Sequence, residues 1–506
     1  MGEEDLKLFI EPRASSLLTT VNNFLTKKDI KSYLVGGFVR DVLLKRDTAD
    51  IDIAVAADAV DIAPQVANAL GGKFVLLDET NRVGRVVVAD KKAPSGGRWQ
   101  LDFSTFQGSI EQDLARRDFT IDAIAVDLGE LTKDYDVPLI DPFDGWGDLQ
   151  NGVIRTVSET AFQSDAARLL RAVRLAAELG FSLERQTEAL VRRHSQLIAD
   201  VAGERVREEL LRLLAVPQSQ RFLPYLDDLG LVTALFPEMA EAKGVEQPKE
   251  HFWDVFDHSL KTVIAVDFLL HEGSWEYADD EVLAMTPWSE VLAQHFAQQV
   301  SSGSTRRSLL KLAALLHDVA KPQTKAVGED GRTHFLGHAK LGAAITANIL
   351  ERLRFSGKEV KLVEAMIKYH LRPGQMGQGE LPTHRAIYRY FRDSGEAGID
   401  ILFLSLADHL ATRGPQLNLA HWQEHAQMVE YVLAQHFEQE RLVVPAKLVD
   451  GHDLIRIFGL SPGPRIGQLL EAVREAQASG EVATKEEALA YIRDRLATKA
   501  ERNRYA

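Results

Sequence analysis

The sequence predicts an α+β amino-terminal module, a mixed sheet with helices, followed by mainly α-helical modules. Three observations carry that expectation. Short runs rich in β-branched and aromatic residues (SYLVGG, IDIAV, KFVLL, RVGRVVVAD, WQLDFSTF and IDAIAVDL) crowd residues 30–128, with one amphipathic stretch near 58–70 among them. From about residue 160 the apolar spacing turns helical and stays so, as in AARLLRAVRLAAELGF, ERVREELLRLLA and RSLLKLAALLHDVA. The chain has 506 residues, too many for one core when a domain takes roughly 150.

Turn-forming clusters at 141–152 (DPFDGWGDLQNG), 244–253 (GVEQPKEHFW) and 414–418 (GPQLN) punctuate the chain. They place a head at 1–150, a helical neck at 151–244, a second helical domain at 245–434 and a tail at 435–506, with 272–305 read as an insertion. An apolar fraction of 45% and a charged fraction of 26% describe an ordinary globular chain. With no cysteine, disulfides and thiolate zinc sites are excluded, so any metal falls to His, Asp or Glu. The start, MGEEDLKLFIEPR, lacks the basic and apolar parts of a signal peptide, and no apolar run reaches spanning length; a cytoplasmic protein with no membrane partner is expected. The net charge of -15 argues against a general nucleic-acid coat, so an RNA partner must meet a local basic face.

In the head, Leu34-Val35-Gly36-Gly37-Phe38-Val39-Arg40-Asp41 passes from a β-like run into a helix through two glycines, which let backbone N–H groups approach a phosphate. Alone, such a pair is more often just a tight turn. Next comes Asp50-Ile51-Asp52-Ile53: carboxylates two apart on a strand share a face and can bind one hard cation, although a solvated edge strand has the same pattern. Asp102, on a later strand-like run, can close a three-carboxylate cluster of the kind that holds Mg²⁺ for phosphoryl transfer.

The segment GGFVRDVLLKRDTADIDIAV resembles the signature of the class II tRNA nucleotidyltransferases, the CCA-adding and poly(A) polymerase family, with Lys45 where the family usually has glycine. LDFSTFQ (101–107) resembles the segment supplying the third carboxylate, and RRDFTIDAIAV (116–126) the motif that reads the ribose, with Asp122 in place of asparagine. DPFDGWGDLQNGVIRTV (141–157) resembles the turn joining head to neck. Ser164-Asp165-Ala166-Ala167-Arg168 is similar to the family's Glu-Asp-x-x-Arg motif, with Ser164 for glutamate, and 204–209 to the final motif that braces its helix. The resemblance implies that Asp50 and Asp52 bind Mg²⁺, that Asp102 polarises an RNA 3′-hydroxyl, and that Gly36, Gly37 and Arg40 hold the triphosphate. It also implies that Arg117 and Asp118 contact the ribose. Asp165 and Arg168, three apart on one helical face with Arg171 beyond, would read the base edge in place of a template; a plain surface ion pair is the other reading of that spacing.

In the second helical domain, RSLLKLAALLHDVAKP (307–322) reads as a helix ending on His317-Asp318, with His258, His338, His370 and Asp408 as further candidate ligands. Their order resembles the HD-domain phosphohydrolases. That implies a divalent metal (Mg, Mn, Ni or Co) on His258, His317, Asp318 and Asp408, with His338 and His370 completing a second site. The tail 449–489 has a Gly-Pro break and an amphipathic helix, and resembles the RNA-body module of HD-containing members. Arg456, Arg465 and Arg474 are its candidate phosphate contacts, against a hairpin that only packs on its neighbours.

The expected activity is transfer of C and/or A from CTP and ATP to a tRNA 3′ end, as full CCA, CC-only or A-only addition, plus hydrolysis at the HD site. Poly(A) synthesis, and an HD phosphohydrolase whose first half only binds nucleotide or RNA, are the alternatives. A noncatalytic RNA-binding protein fits poorly with two sets of metal ligands and net negative charge.

Overall fold

Strand alternation organises the head. In the computed structural model, which describes residues 10–90, 97–131, 138–376, 381–441 and 447–502, six strands form one mixed sheet: β1 (Ser32–Val35), β2 (Asp50–Val55), β3 (Lys73–Asp78), β4 (Val83–Ala89), β5 (Arg98–Thr105) and β6 (Ala125–Asp127). Their order is β3-β4-β5-β2-β1-β6; β2 and β5 run parallel and every other pair antiparallel. Ile51 and Ile53 of β2, and Trp99, Leu101 and Phe103 of β5, turn one face into the core. Asp52 and Asp102 therefore lie on the opposite face. The amphipathic stretch near 58–70 is the helix Ala59–Leu70, capped by the Asp58 side chain and ended by Gly71 at φ 65°.

The DPFDGWGD turn is built by its acids. Asp141 accepts from the backbone N–H of Gly145 (2.7 Å) and Trp146 (2.8 Å), and buried Asp148 accepts from Thr120 Oγ1 and the Arg155 guanidinium. A Cβ on Gly145 would stand 2.2 Å from the Thr120 carbonyl oxygen, so the close approach requires glycine.

The chain divides into two compact units, Met1–Val201 with Leu229–Leu231, and Ala202–Asp228 with Val232–Ala506. The expected neck, 151–244, is thus shared between them, and the expected joints at 150 and 434 fall inside the helices Gly145–Asn151 and Leu419–Arg441. In the second unit, helices Val255–Leu269, Arg306–Leu316, Gly357–Tyr369 and Gly398–Arg413 bury nearly all their apolar residues together. Region 272–305 forms helices Asp280–Met285 and Glu290–Ala297 and a short hairpin. The tail helices Gly451–Phe458, Pro464–Ala478 and Lys485–Arg502 close a small cluster around Leu454, Val473, Ala476 and Ile492. No described helix is long and apolar enough to cross a membrane.

Candidate functional site

Register brings the head carboxylates together. Asp52 on β2 is the direct partner of Asp102 on β5, and Asp102 is in turn the partner of Arg85 on β4. Asp50 stands exposed at the first residue of β2, opposite Gln100. A cleft of about 260 Å³ is lined by Gly36, Gly37, Asp52, Asp102, Arg117, Asp118, Asp122 and Arg171, with Val35, Val83 and Ser104. Gly36 begins the helix Gly36–Leu43 at φ +67°, and a Cβ there would lie 2.8 Å from Arg117 Nη1 and 3.1 Å from Asp52 Oδ2. Only glycine lets the backbone come this near both charges.

Burial raises the Asp52 carboxyl to about 6; Asp102 and Asp122 add to the rise, while Arg117 and the Phe38 N–H oppose it. That excess of negative charge is the environment a divalent cation relieves. Arg117 donates to Asp113 (3.3 Å) and to the Asp122 carbonyl (3.4 Å). Arg171 donates to Asp118 (2.9 Å), whose other oxygen accepts the Phe119 N–H.

Arg40, expected on the triphosphate, is turned toward acids of the head, with its Nη2 3.5 Å from where a Cβ on Gly37 would lie. Its guanidinium donates to Asp41 (2.9 and 3.1 Å) and to Asp122 (2.8 Å), and it is absent from the cleft lining. The carboxylate at 122 gives Arg40 a full ion pair. Asp165 and Arg168 also differ from expectation: Asp165 is extended (φ -155°, ψ 101°) between the helices Ala161–Ser164 and Arg168–Leu179, so the two do not share a helical face. They remain 3.9 Å apart; Asp165 accepts the Ala167 N–H, and Arg168 donates to Ser164 Oγ and the carbonyls of Ala161 and Arg116. Neither lines the cleft.

The second constellation closes as its spacing suggests, although the helix ends at Leu316 and His317 forms its cap. His258, His317 and Asp318, and separately Asp318, His338 and His370, bring one ligand atom each within 4.8 Å of one another. Asp408 Oδ1 lies 3.1 Å from His258 Nε2 and 3.9 Å from His317 Nε2. A carbonyl can only accept, so the contacts of His317, His338 and His370 Nδ1 with the carbonyls of Ala314, Phe335 and Ile367 place hydrogen on Nδ1 and leave Nε2 as a lone pair when the ring is neutral. His338 and His370 Nε2 then face each other at 3.4 Å, which a cation or proton must relieve. Asp318 is buried, and its Oδ1 has no hydrogen-bond partner. Six donors of this kind fit a divalent metal.

Burial works against the charged His258 and His370 and lowers both, the latter to about 4; at His317 burial also pulls downward, but Asp318 and Asp408 together outweigh it and the net shift is upward. Sequence reasoning missed Arg85, which clamps Asp102, and also Lys321 and His251 beside the HD cluster. Lys321 Nζ lies 2.6 Å from Asp318 Oδ2, and the His251 ring meets His258 edge-on at 5.6 Å. Arg85 belongs to no motif, and its pairing becomes visible only with strand register. The tail arginines are mostly engaged locally: Arg456 with Asp453 and Arg474 with Glu471, while Arg465 is exposed.

A glycine-turn, carboxylate-bearing head joined to a His/Asp-rich helical domain defines the class: a nucleotidyltransferase with an HD domain. Residues 32–155 match the family described as the poly A polymerase head domain, 180–243 the probable RNA- and SrmB-binding site of polymerase A, and 282–413 the HD domain. An A-adding tRNA nucleotidyltransferase of Deinococcus radiodurans is 36% identical over 468 residues, covering 91% of this chain and 94% of that protein. A CC-adding tRNA nucleotidyltransferase of Thermus thermophilus is 33% identical, covering 93% and 94%. A solved CCA-adding enzyme with CTP shares the fold at a TM-score of 0.62, with 22% identity and 96% of each chain covered. The chain belongs to the tRNA nucleotidyltransferase family, and it is an enzyme of that type.

Proposed function

We propose that this enzyme adds C or A to the 3′ end of tRNA, performing one part of CCA completion. The observation that carries the reading is the register of β2 and β5, which sets Asp52 beside Asp102 at a cleft entered by the Gly36-Gly37 turn. The A-adding and CC-adding relatives, aligned along nearly the whole chain, support a partial addition. Asp50, Asp52 and Asp102 would hold Mg²⁺, which when bound neutralises triphosphate charge and makes the 3′-hydroxyl more acidic.

The protein's own groups supply the rest. The glycine turn presents backbone N–H groups to the phosphates, with the Arg40 and Arg117 guanidinium groups beside it as cations. Asp102 orients the 3′-hydroxyl and accepts its proton as oxygen attacks the α-phosphorus and pyrophosphate leaves. Asp118, held by Arg171, meets the ribose. Asp165 and Arg168, on the segment ahead of Arg171, read the base once released from their local partners. Arg456, Arg465 and Arg474 would touch RNA phosphates.

In the second unit, His258, His317, Asp318 and Asp408, with His338 and His370, would hold a divalent metal whose bound water supplies hydroxide for phosphoester hydrolysis.

The deciding experiment offers purified protein three tRNAs, ending at the discriminator, at C and at CC, with CTP and ATP separately. Growth of only one or two primers by one nucleotide type supports partial addition; growth of the first two with CTP together with growth of the third with ATP overturns it. Long A tails from ATP alone would identify a poly(A) polymerase. No extension would leave an HD hydrolase with a binding module.

A further inference from the structure

Arg85 continues the row of charges across the sheet, paired in register with Asp102, itself paired with Asp52. Its guanidinium donates twice to a single carboxylate, Nε to Asp102 Oδ1 and Nη2 to Oδ2, both at 2.7 Å, while Nη1 donates to Gln100 Oε1. Two parallel bonds fix the tilt of the carboxylate as well as its position; one ammonium contact would leave rotation free. The cleft lining includes Asp102 and not Arg85, so the guanidinium reaches the site through that carboxylate.

We infer that Arg85 is a positioning residue for nucleotide transfer, aiming Asp102 at the RNA 3′-hydroxyl. The inference rests on the reading of Asp102 as the reacting carboxylate. Its competitor is a cross-strand ion pair that only steadies β4 against β5, an effect of about 0.2–1 kcal/mol. The two differ in what they demand. A sheet pair needs a positive charge at residue 85, which lysine supplies. Aiming needs the planar fork, and a reacting group displaced by about 1 Å loses on the order of 100-fold in rate.

The test compares Arg85→Lys, Arg85→Ala, Asp102→Ala and the Arg85→Ala/Asp102→Ala double variant of the full chain. It reads single-turnover addition of CTP and ATP to tRNA primers, nucleotide KM and thermal melting. Both Arg85 variants should lower kcat by roughly 10- to 100-fold with nucleotide KM changed less than about threefold. Arg85→Lys should melt with the wild type, and the double variant should be no slower than Asp102→Ala, because the arginine acts only through that carboxylate. Wild-type kcat in Arg85→Lys would reduce the residue to a sheet contact. A raised KM at unchanged kcat would make it a nucleotide-binding group instead, and additive losses in the double variant would give it an action independent of Asp102. If Asp102→Ala keeps normal turnover, the underlying reading of Asp102 fails, whatever Arg85 does. Should Arg85→Ala not fold, Arg85→Lys alone decides.

Discussion

At the scale of single residues, Asp52 links chemistry to stability. Its carboxyl titrates near 6 in the folded protein against 3.8 ordinarily, with burial the leading cause. The folded state therefore holds this proton more tightly than the unfolded chain, and stability falls as pH rises from about 4 to about 6 and stays lowered above that. Asp52→Asn should accordingly melt higher than wild type at pH 8 without added metal and indistinguishably at pH 4, while losing nucleotide incorporation. An equal or lower melting temperature at pH 8 would remove the argument for strained charge in the cleft. Gly36→Ala acts on the backbone of the same cleft. An alanine at φ +67° costs about 1–2 kcal/mol and drives its methyl into Arg117 and Asp52. Addition should drop at least tenfold with only a modest loss of melting temperature, and normal kinetics would show that the turn yields without disturbing the carboxylates.

At the scale of elements, what the sequence revealed depended on whether the interaction was local. Alternation on β2 put Asp50 and Asp52 on one face, and the order of His and Asp residues anticipated the HD cluster, because each signal is written along the chain. Arg85 and the Arg40–Asp122 pair were not legible, since they depend on which strands adjoin and on contacts 82 residues apart. The spacing reads Asp165 as helical, whereas the residue is extended, a break that spacing cannot reveal. The tail illustrates the same limit. Arg385, Arg389 and Arg392, on one face of the helix His384–Ser394, bind Glu481, Glu475 and Glu471 of the tail, so docking is governed by acids that no motif marks. The break at Asp165 carries its own expectation. Asp165→Ala frees the Ala167 N–H and loosens Arg168; if the pair reads the base, discrimination among CTP, ATP, GTP and UTP should fall about tenfold, the equivalent of roughly 1.4 kcal/mol of lost base contact. Measured as kcat/KM for four nucleotides on one primer, unchanged ratios with a uniform loss would leave Asp165 as a brace of the neck.

At the scale of the whole molecule, the two ligand sets belong to different compact units: Asp50, Asp52 and Asp102 to Met1–Val201, and all six HD ligands to the unit containing Val232–Ala506. Each set is held by its own elements, the carboxylates by sheet register and His317, His338 and His370 by backbone carbonyls at helix ends. Removing one set therefore takes no contact from the other. The double variant His317→Ala/Asp318→Ala should lose metal-dependent hydrolysis of nucleotide phosphoesters or RNA ends and yet add nucleotides at the wild-type rate. The core of the second unit limits how far this can be pressed. Both side chains are almost wholly buried, and truncating buried groups leaves space and takes from Lys321 its carboxylate partner, so a lower melting temperature of that unit is expected as well. Asp408→Asn serves as the milder control, because the amide keeps the volume and the Thr412 contact while weakening the charge offered to a cation. In wild type, a chelator removed again before assay should abolish hydrolysis, and titrating Mg²⁺, Mn²⁺, Ni²⁺ or Co²⁺ back should restore it with a dependence separate from that of addition. Matched loss of both activities in Asp408→Asn would mean that the units do not work independently. A wild-type protein that binds none of these ions at the HD cluster would leave the six ligands as a structural remnant.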